Sequence, residues 1–382
     1  FAEPDSVVVL TGGAEPKSAI FCRPRDPERE IWDGFRHGPD GAREKFAFDE
    51  AWPITELDSR VPDYLADKSA VYTPIGSDAT WDGRVVQWIN AVRAQSRAGV
   101  TAPARIQDVR TLVDEMRLVK DETELEVMRR AAFISGGAHA RAMKFTRPGK
   151  SEYEVEAELL HEFRRHGAQY PAYPSIVAGG VNACVLHYVE NASRLRDGDL
   201  LLIDAGCELD GYASDITRTF PVNGRYTPQQ RDVYELVLAA QKAAMVTVRA
   251  GSRWNEPHDA AVRTLAQGFI DLRLLSGTLD EVLENETYRR FYMHRTGHWL
   301  GLDVHDVGEY KQGGEWRVLQ PGMVLTVEPG CYIAADAEVP EGFAGIGIRI
   351  EDDVVVREHG CEVLTGSAPK SVQDIESLMR TG

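Results

Sequence analysis

Two aspartates stand where packing gives no reason for them. The stretch Leu200 to Phe220 reads LLLIDAGCELDGYASDITRTF. Its runs LLLID and YASDITRTF suit buried strands joined by a turn at Leu209-Asp210-Gly211. Asp204 closes the first run, and Asp215 sits inside the second among Tyr, Ile, Thr and Phe. A hairpin turning near 210 sets the two carboxylates side by side. Buried carboxylates that share a site repel, so one holds a proton or a cation lies between them. Oxygen ligands of this kind suit Mg2+, Ca2+ or Mn2+. The other reading is a hairpin with two solvated aspartates.

Further groups of the same kind follow. Met293 to Gly308 reads MHRTGHWLGLDVHDVG and holds His294, His298 and His305 among Trp299, Leu300, Leu302 and Val304. The spacing of His294 and His298 is that of an HExxH zinc helix, but Arg295 stands in the glutamate position and Gly297 disfavours a helix. A loop or strand is expected there. VLTVEPG puts Glu328 at the end of an apolar strand. GIGIRIEDDVVV puts Glu351 within a strand, with Ile346, Ile348 and Ile350 on one face and Arg349 and Glu351 on the other. His187 follows the apolar run CVL; a lone histidine in such a place is more often a hydrogen-bonded core residue than a functional one. Asp204, Asp215, Glu328 and Glu351 together carry four negative charges, which two divalent cations balance. Two such ions sharing carboxylates sit about 3.5–4 Å apart and can hold a hydroxide between them. With oxygen donors and a single histidine, Mn2+ fits the ligand softness better than a thiolate-rich zinc site does, and Zn2+, Co2+ and Mg2+ stay open.

The elements that must position these groups divide in two. Residues 1 to about 112 read as a small α/β domain. Ser6–Leu10 and Ala19–Cys22 suit strands around Gly12-Gly13, and Trp81 to Ala98 suits a helix with Val85, Val86, Trp88, Ile89 and Val92 on its apolar side. Arg23 to Lys45 is a charged surface region, with Trp32 in its middle. From residue 113 to 382 long helices alternate with strands. Asp121 to Glu124 suits a helix start, and Ser151 with Glu154 forms a capping box. Helices are expected over Pro228–Val248 and Glu256–Leu274.

Composition bounds the partners. The net charge of −17, with no basic stripe, argues against nucleic acid and anionic membranes. No apolar run reaches the length of a membrane span. Five scattered cysteines fit reduced thiols and a cytoplasmic location. The chain opens on Phe1 and runs at once into SVVVL, which reads as a chain lacking its first segment.

DAGCELDGYASDITRTF, HWLGLDVHD, VLTVEPG and GIGIRIEDD resemble the metal-site motifs of the Xaa-Pro aminopeptidases (aminopeptidase P), among the pita-bread metallopeptidases. The resemblance implies an α/β (α+β) chain, with a small N-terminal domain over 1–112 and a pita-bread catalytic domain over 113–382. It implies two divalent ions held by Asp204, Asp215, His298, Glu328 and Glu351, with Asp215 and Glu351 bridging and His298 the sole imidazole ligand. Glu328 is then also the base or proton shuttle. His187, His294 and His305 match positions that contact substrate or stabilise the tetrahedral intermediate, and Arg349 and Tyr332 match supporting positions. Trp32, in an I-W-x-G context, matches a residue that reaches towards a neighbouring subunit's active site in oligomeric relatives, which implies a homo-oligomer, dimer or tetramer. The plainer reading of Trp32 is a surface residue steadied by Arg29 or Arg36. The implied activity is release of the N-terminal residue from peptides with proline second, by attack of a metal-bridging hydroxide. An Xaa-Pro dipeptidase (prolidase) shares the five ligands and is the alternative; a non-catalytic pita-bread binding module is the remote one.

Overall fold

The structure, a computed structural model, describes residues 1–381. It divides into two compact units, Phe1–Val113 and Asp114–Gly382. In the first, β1 (Val7–Thr11), β2 (Lys17–Cys22) and β3 (Glu50–Pro53) form one sheet, and β4 (Ala70–Thr73) pairs with β5 (Arg105–Asp108). Its helices are α1 (Pro27–Asp33), α2 (Gly38–Phe46), α3 (Leu57–Leu65) and α4 (Ala79–Arg93). The charged surface region over residues 23–45 carries α1 and most of α2. Asp26 caps α1 by accepting the Arg29 N–H, and Pro27 supplies a pre-set first turn. Val85, Trp88, Ile89 and Val92 of α4 pack with Phe21 and Leu57 in this unit's core. Val86, expected among them, is 47% exposed, because it lies one position off that stripe.

The chain passes into the second unit within α5 (Arg110–Leu118). There follow α6 (Glu122–Phe145), α7 (Glu152–Arg165), β6 (Tyr170–Pro171), β7 (Ile176–Gly179), β8 (Leu200–Asp204), β9 (Cys207–Leu209), β10 (Tyr212–Ala213) and β11 (Thr217–Pro221). A second helix pair, α8 (Pro228–Thr247) and α9 (Glu256–Asp271), precedes the short α10 (Leu279–Glu284) and the ribbon of β12 (Lys311–Gln312) and β13 (Glu315–Trp316). The chain then forms β14 (Val324–Val327), β15 (Gly330–Tyr332), β16 (Gly347–Arg349), β17 (Asp352–Arg357), β18 (Gly360–Val363) and α11 (Val372–Arg380). Each long helix pair is therefore followed by an antiparallel sheet, β11-β8-β7 in the first case and β14-β17-β18 in the second.

Local chemistry explains these elements. Asp121 and Glu124 close a capping box on α6, and Glu154 accepts the Ser151 N–H at the start of α7. Thr227, Pro228 and Gln230 do the same for α8. In β8, Leu201 and Ile203 face the main core while Leu202 faces a smaller cluster with Ile176 and Tyr332. A strand buried on both faces reads as the unbroken run LLLI, each side chain contributing about 1.5–3 kcal/mol of burial. Asp210 and Gly211 both have positive φ, 51° and 88°, which makes the β9–β10 turn type I′. That hairpin continues outward into β8–β11, where Asp204 pairs with Thr217.

Candidate metal centre

Four carboxylates gather where strands stop. Asp204 ends β8, and Glu328 directly follows β14. Asp215 and Glu351, read from the sequence as lying inside strands, instead occupy gaps between β10 and β11 and between β16 and β17. The ladder breaks there because these backbone amides bond elsewhere. The Asp215 N–H donates to the Asp353 carboxylate at 3.0 Å, and the Glu351 N–H donates to the Thr217 carbonyl at 3.0 Å. The second contact ties the two sheets together. Ile346, Ile348 and Ile350 share their burial with Arg349 and Glu351, so both faces of this run are interior.

His298 reaches the cluster along an extended segment, as Gly297 led one to expect. The Thr326 N–H donates to the His298 carbonyl and the Glu328 N–H to the Thr296 carbonyl, which lays the segment alongside β14. A Cβ on Gly297 would stand 2.1 Å from the Thr326 carbonyl oxygen, so only glycine permits the approach. The result places His298 Nε2 3.5 Å from Asp215 Oδ2 and 3.7 Å from Glu328 Oε1. Asp215, His298 and Glu351 each present one donor atom, all within 4.8 Å of one another. His298 Nδ1–H donates to the Trp299 carbonyl at 2.9 Å, which fixes the tautomer and leaves the Nε2 lone pair facing Asp215 and Glu328.

The remaining positions are distributed around this group. Arg349 donates to Asp204 at 2.6 Å, to Thr217 at 3.1 Å and to the Tyr332 hydroxyl at 3.0 Å. Tyr332 in turn donates to His294 Nε2 at 2.9 Å, and His294 Nδ1–H is held by the Arg295 carbonyl. His294 thus belongs to a chain running to Arg349, with both ring nitrogens occupied. Burial, then the positive Arg349, press its pKa down to about 3, so it stays neutral. His187 and His305 are exposed and line the same cavity of about 430 Å³. The His305 ring lies 4.3 Å from that of His298. Trp32 is 83% exposed on α1 in the other unit. No cation stacks on it among the described residues, and Arg36 pairs with Asp33 instead.

Three contributors escaped the sequence reading. The Tyr173 hydroxyl spans Asp204 and Asp215 at 2.6 and 2.5 Å. Thr217 donates to Glu351 at 2.6 Å. Asp306 anchors the loop bearing His298 and His305 through Lys120 at 2.9 Å and Arg117 at 2.5 Å. The only local signal for Tyr173 is its place in YPAYPS, just ahead of the apolar run of β7. Lys120 and Asp306 are both buried, so Asp306→Ala strands an ammonium and is expected to cost about 3–5 kcal/mol in denaturant unfolding. A loss under about 1 kcal/mol would mean that the pair behaves as a solvated one.

The donor set fits divalent cations. Burial pushes the Glu328 carboxyl up to about 7. Burial, then Asp215 and Glu328, push Glu351 well above the usual carboxylate range. Burial opposes charge on His298, yet Asp215 and Glu328 draw its pKa up to about 9. Without metal the cluster is therefore held together by protons on the very atoms that would ligate, and a pair of cations answers the same repulsion.

Comparison with known proteins agrees with this picture. The model of metallopeptidase family M24 matches residues 126–358, and that of the aminopeptidase P N-terminal domain matches residues 1–72. The chain is 49% identical to the Escherichia coli Xaa-Pro aminopeptidase over 381 residues, covering 99% of this chain and 86% of that protein. It is 36% identical to human Xaa-Pro aminopeptidase 3 over 389 residues, covering 99% of this chain and 74% of that protein. Pseudomonas aeruginosa aminopeptidase PepP superposes with a TM-score of 0.97 at 52% identity, over 100% of this chain and 87% of the other.

Proposed function

Because the chain belongs to metallopeptidase family M24 and carries an aminopeptidase P N-terminal domain, we propose that it is a metallo-aminopeptidase that releases the first residue of peptides with proline second. The observation that carries this reading is the set Asp204, Asp215, His298, Glu328 and Glu351, buried or partly buried, which lines one cavity of about 430 Å³. We assign Asp215 and Glu351 as shared ligands and Mn2+ as the preferred ion. When bound, a pair of divalent cations supplies the Lewis acidity that ionises a water and polarises the scissile carbonyl. Glu328 accepts a proton and passes it to the leaving nitrogen, a task suited to a carboxyl whose burial keeps its proton affinity high. His305 and His187, free of protein hydrogen bonds among the described residues, offer N–H groups to the substrate and its developing oxyanion. The Arg349–Tyr332–His294 chain fixes Asp204 and the floor of the site. An Xaa-Pro bond is a tertiary amide with no N–H, so the ring must be recognised by shape. Ile176, Leu186, Val189 and Val304 supply an apolar wall of the cavity.

A homo-oligomer in which Trp32 covers a neighbour's cleft, and a cytoplasmic location, belong to the same proposal. No helix of the described residues is long and apolar enough to cross a membrane. The deciding experiment measures metal content and turnover of Xaa-Pro-Yaa tripeptides and Xaa-Pro dipeptides on one preparation. Cleavage of dipeptides alone replaces this reading with a dipeptidase, and no cleavage of either removes it.

Metal affinity should rise with pH. In the metal-free protein Glu328, with a pKa of about 7, is partly protonated at neutral pH, and His298, drawn up to about 9 by its carboxylate neighbours, is mostly so; both must release their protons to ligate. Affinity for Mn2+ is therefore expected to climb from pH about 6 to about 9, with proton release on binding. Calorimetry in two buffers of different ionisation enthalpy reads both quantities. A flat profile with no proton release would contradict a proton-held site.

A further inference from the structure

One cation in the cavity is not spent on the ligand cluster. Arg295 lines it beside His294 and is exposed to solvent. Its guanidinium carbon lies 4.9 Å from the Trp316 ring centre, and among the described residues the guanidinium makes no ion pair or hydrogen bond. Arg349, the other arginine of the cavity, is buried and committed to Asp204, Thr217 and Tyr332. The cavity thus carries carboxylates at the metal centre and, at a residue of its lining, a guanidinium with no protein partner but the Trp316 ring among the described residues.

That arrangement of charge orients a peptide. The substrate's ammonium is drawn to the carboxylates and repelled by Arg295. His294, the residue before Arg295 and a lining residue of the same cavity, has its Nδ1 3.9 Å from Glu328 Oε2. Glu328 protonates the leaving nitrogen in the mechanism above, which makes its side of the cavity that of the departing peptide. A carboxylate there meets a planar donor steadied by its stack on Trp316. An extended residue adds about 3.5 Å, so the terminal carboxylate of Xaa-Pro-Yaa lies one such step beyond that of Xaa-Pro, away from the buried centre.

We propose that Arg295 is a specificity-determining residue that binds an anionic group on the third residue of the substrate: the terminal carboxylate of a tripeptide, or an acidic side chain there in a longer peptide. This rests on the aminopeptidase reading and adds a substrate class to it. The test compares KM of the metal-loaded protein for Ala-Pro-Gly and for its C-terminal amide, then for Ala-Pro-Glu amide and Ala-Pro-Gln amide. The anionic member of each pair is expected to have a KM about five- to tenfold lower at low salt, with the gap narrowing as salt is added. In Arg295→Gln the ratio should fall to near one, and Arg295→Lys should restore part of it. A ratio near one in the unmodified protein, or one that Arg295→Gln leaves unchanged, overturns the assignment of Arg295 alone. An unmodified protein that cleaves none of the four peptides overturns the aminopeptidase reading with it.

Discussion

Asp215→Asn is expected to remove activity and metal together. Asp215 is 4% exposed, and its carboxylate faces the Tyr173 hydroxyl and His298 Nε2. Asparagine keeps the shape and one oxygen but loses the charge and the second oxygen that a bridge requires. Burial opposes the charge on Asp215, yet His298, 3.5 Å away, holds its pKa below the usual value all the same. The charge is thus part of what the site is built around. The expected fall in kcat/KM is on the order of 10³-fold, about 4 kcal/mol of barrier, with metal content below two ions per chain. The fold should survive, because the Asp215 N–H keeps its bond to Asp353 whichever side chain is present. Elemental analysis and kinetics on one sample check it. Two ions per chain with near-normal turnover would remove Asp215 from the bridge.

Much of this centre is legible before any coordinates, and the reason is local. The β8 run, the Asp-Gly turn and the capping boxes of α6 and α7 are decided within a few residues, so their signals survive in the sequence. The hairpin and its turn stand where the pattern puts them. Gly297 marks the histidine segment as non-helical, and the structure adds that its reason is contact with Thr326. What the pattern misses depends on partners far along the chain. Alternating apolar residues around Asp215 and Glu351 read as continuous strands, yet their amides are claimed by Asp353 and Thr217, more than a hundred positions away. Tyr173 enters the site only because β7 pairs with β8 so that Ile176 faces Asp204. Nothing near Arg218 announces that its guanidinium is fully buried, bonded to the Glu351 carbonyl and to Asp352, bracing the backbone of Glu351.

Glu328→Gln separates proton transfer from ligation. Glu328 sits between two environments, with Oε1 3.7 Å from His298 and 3.4 Å from Thr326, and Oε2 3.9 Å from His294. Its amide bond to Thr296 fixes the backbone, so a glutamine should occupy the same place. The amide oxygen can still face a cation, but it cannot accept and return a proton. With metal supplied in excess, kcat is expected to fall about 10²- to 10⁴-fold while KM changes little. The pH profile gives the second readout. A base works only when ionised, so the unmodified protein loses activity as pH falls through the pKa of Glu328. That pKa is about 7 without metal, and bound cations, which favour the ionised form, move it lower. In Glu328→Gln the residual rate should lack this acid limb. Glu328→Asp, whose shorter carboxylate can still carry a proton, should keep the limb at a reduced rate. A metal-saturated Glu328→Gln protein with near-normal kcat and an intact acid limb would move the proton shuttle to another group. A variant that cannot be loaded at any metal concentration would instead make ligation the dominant role of Glu328, leaving His305 and His187 as the exposed groups in the cavity able to carry the proton.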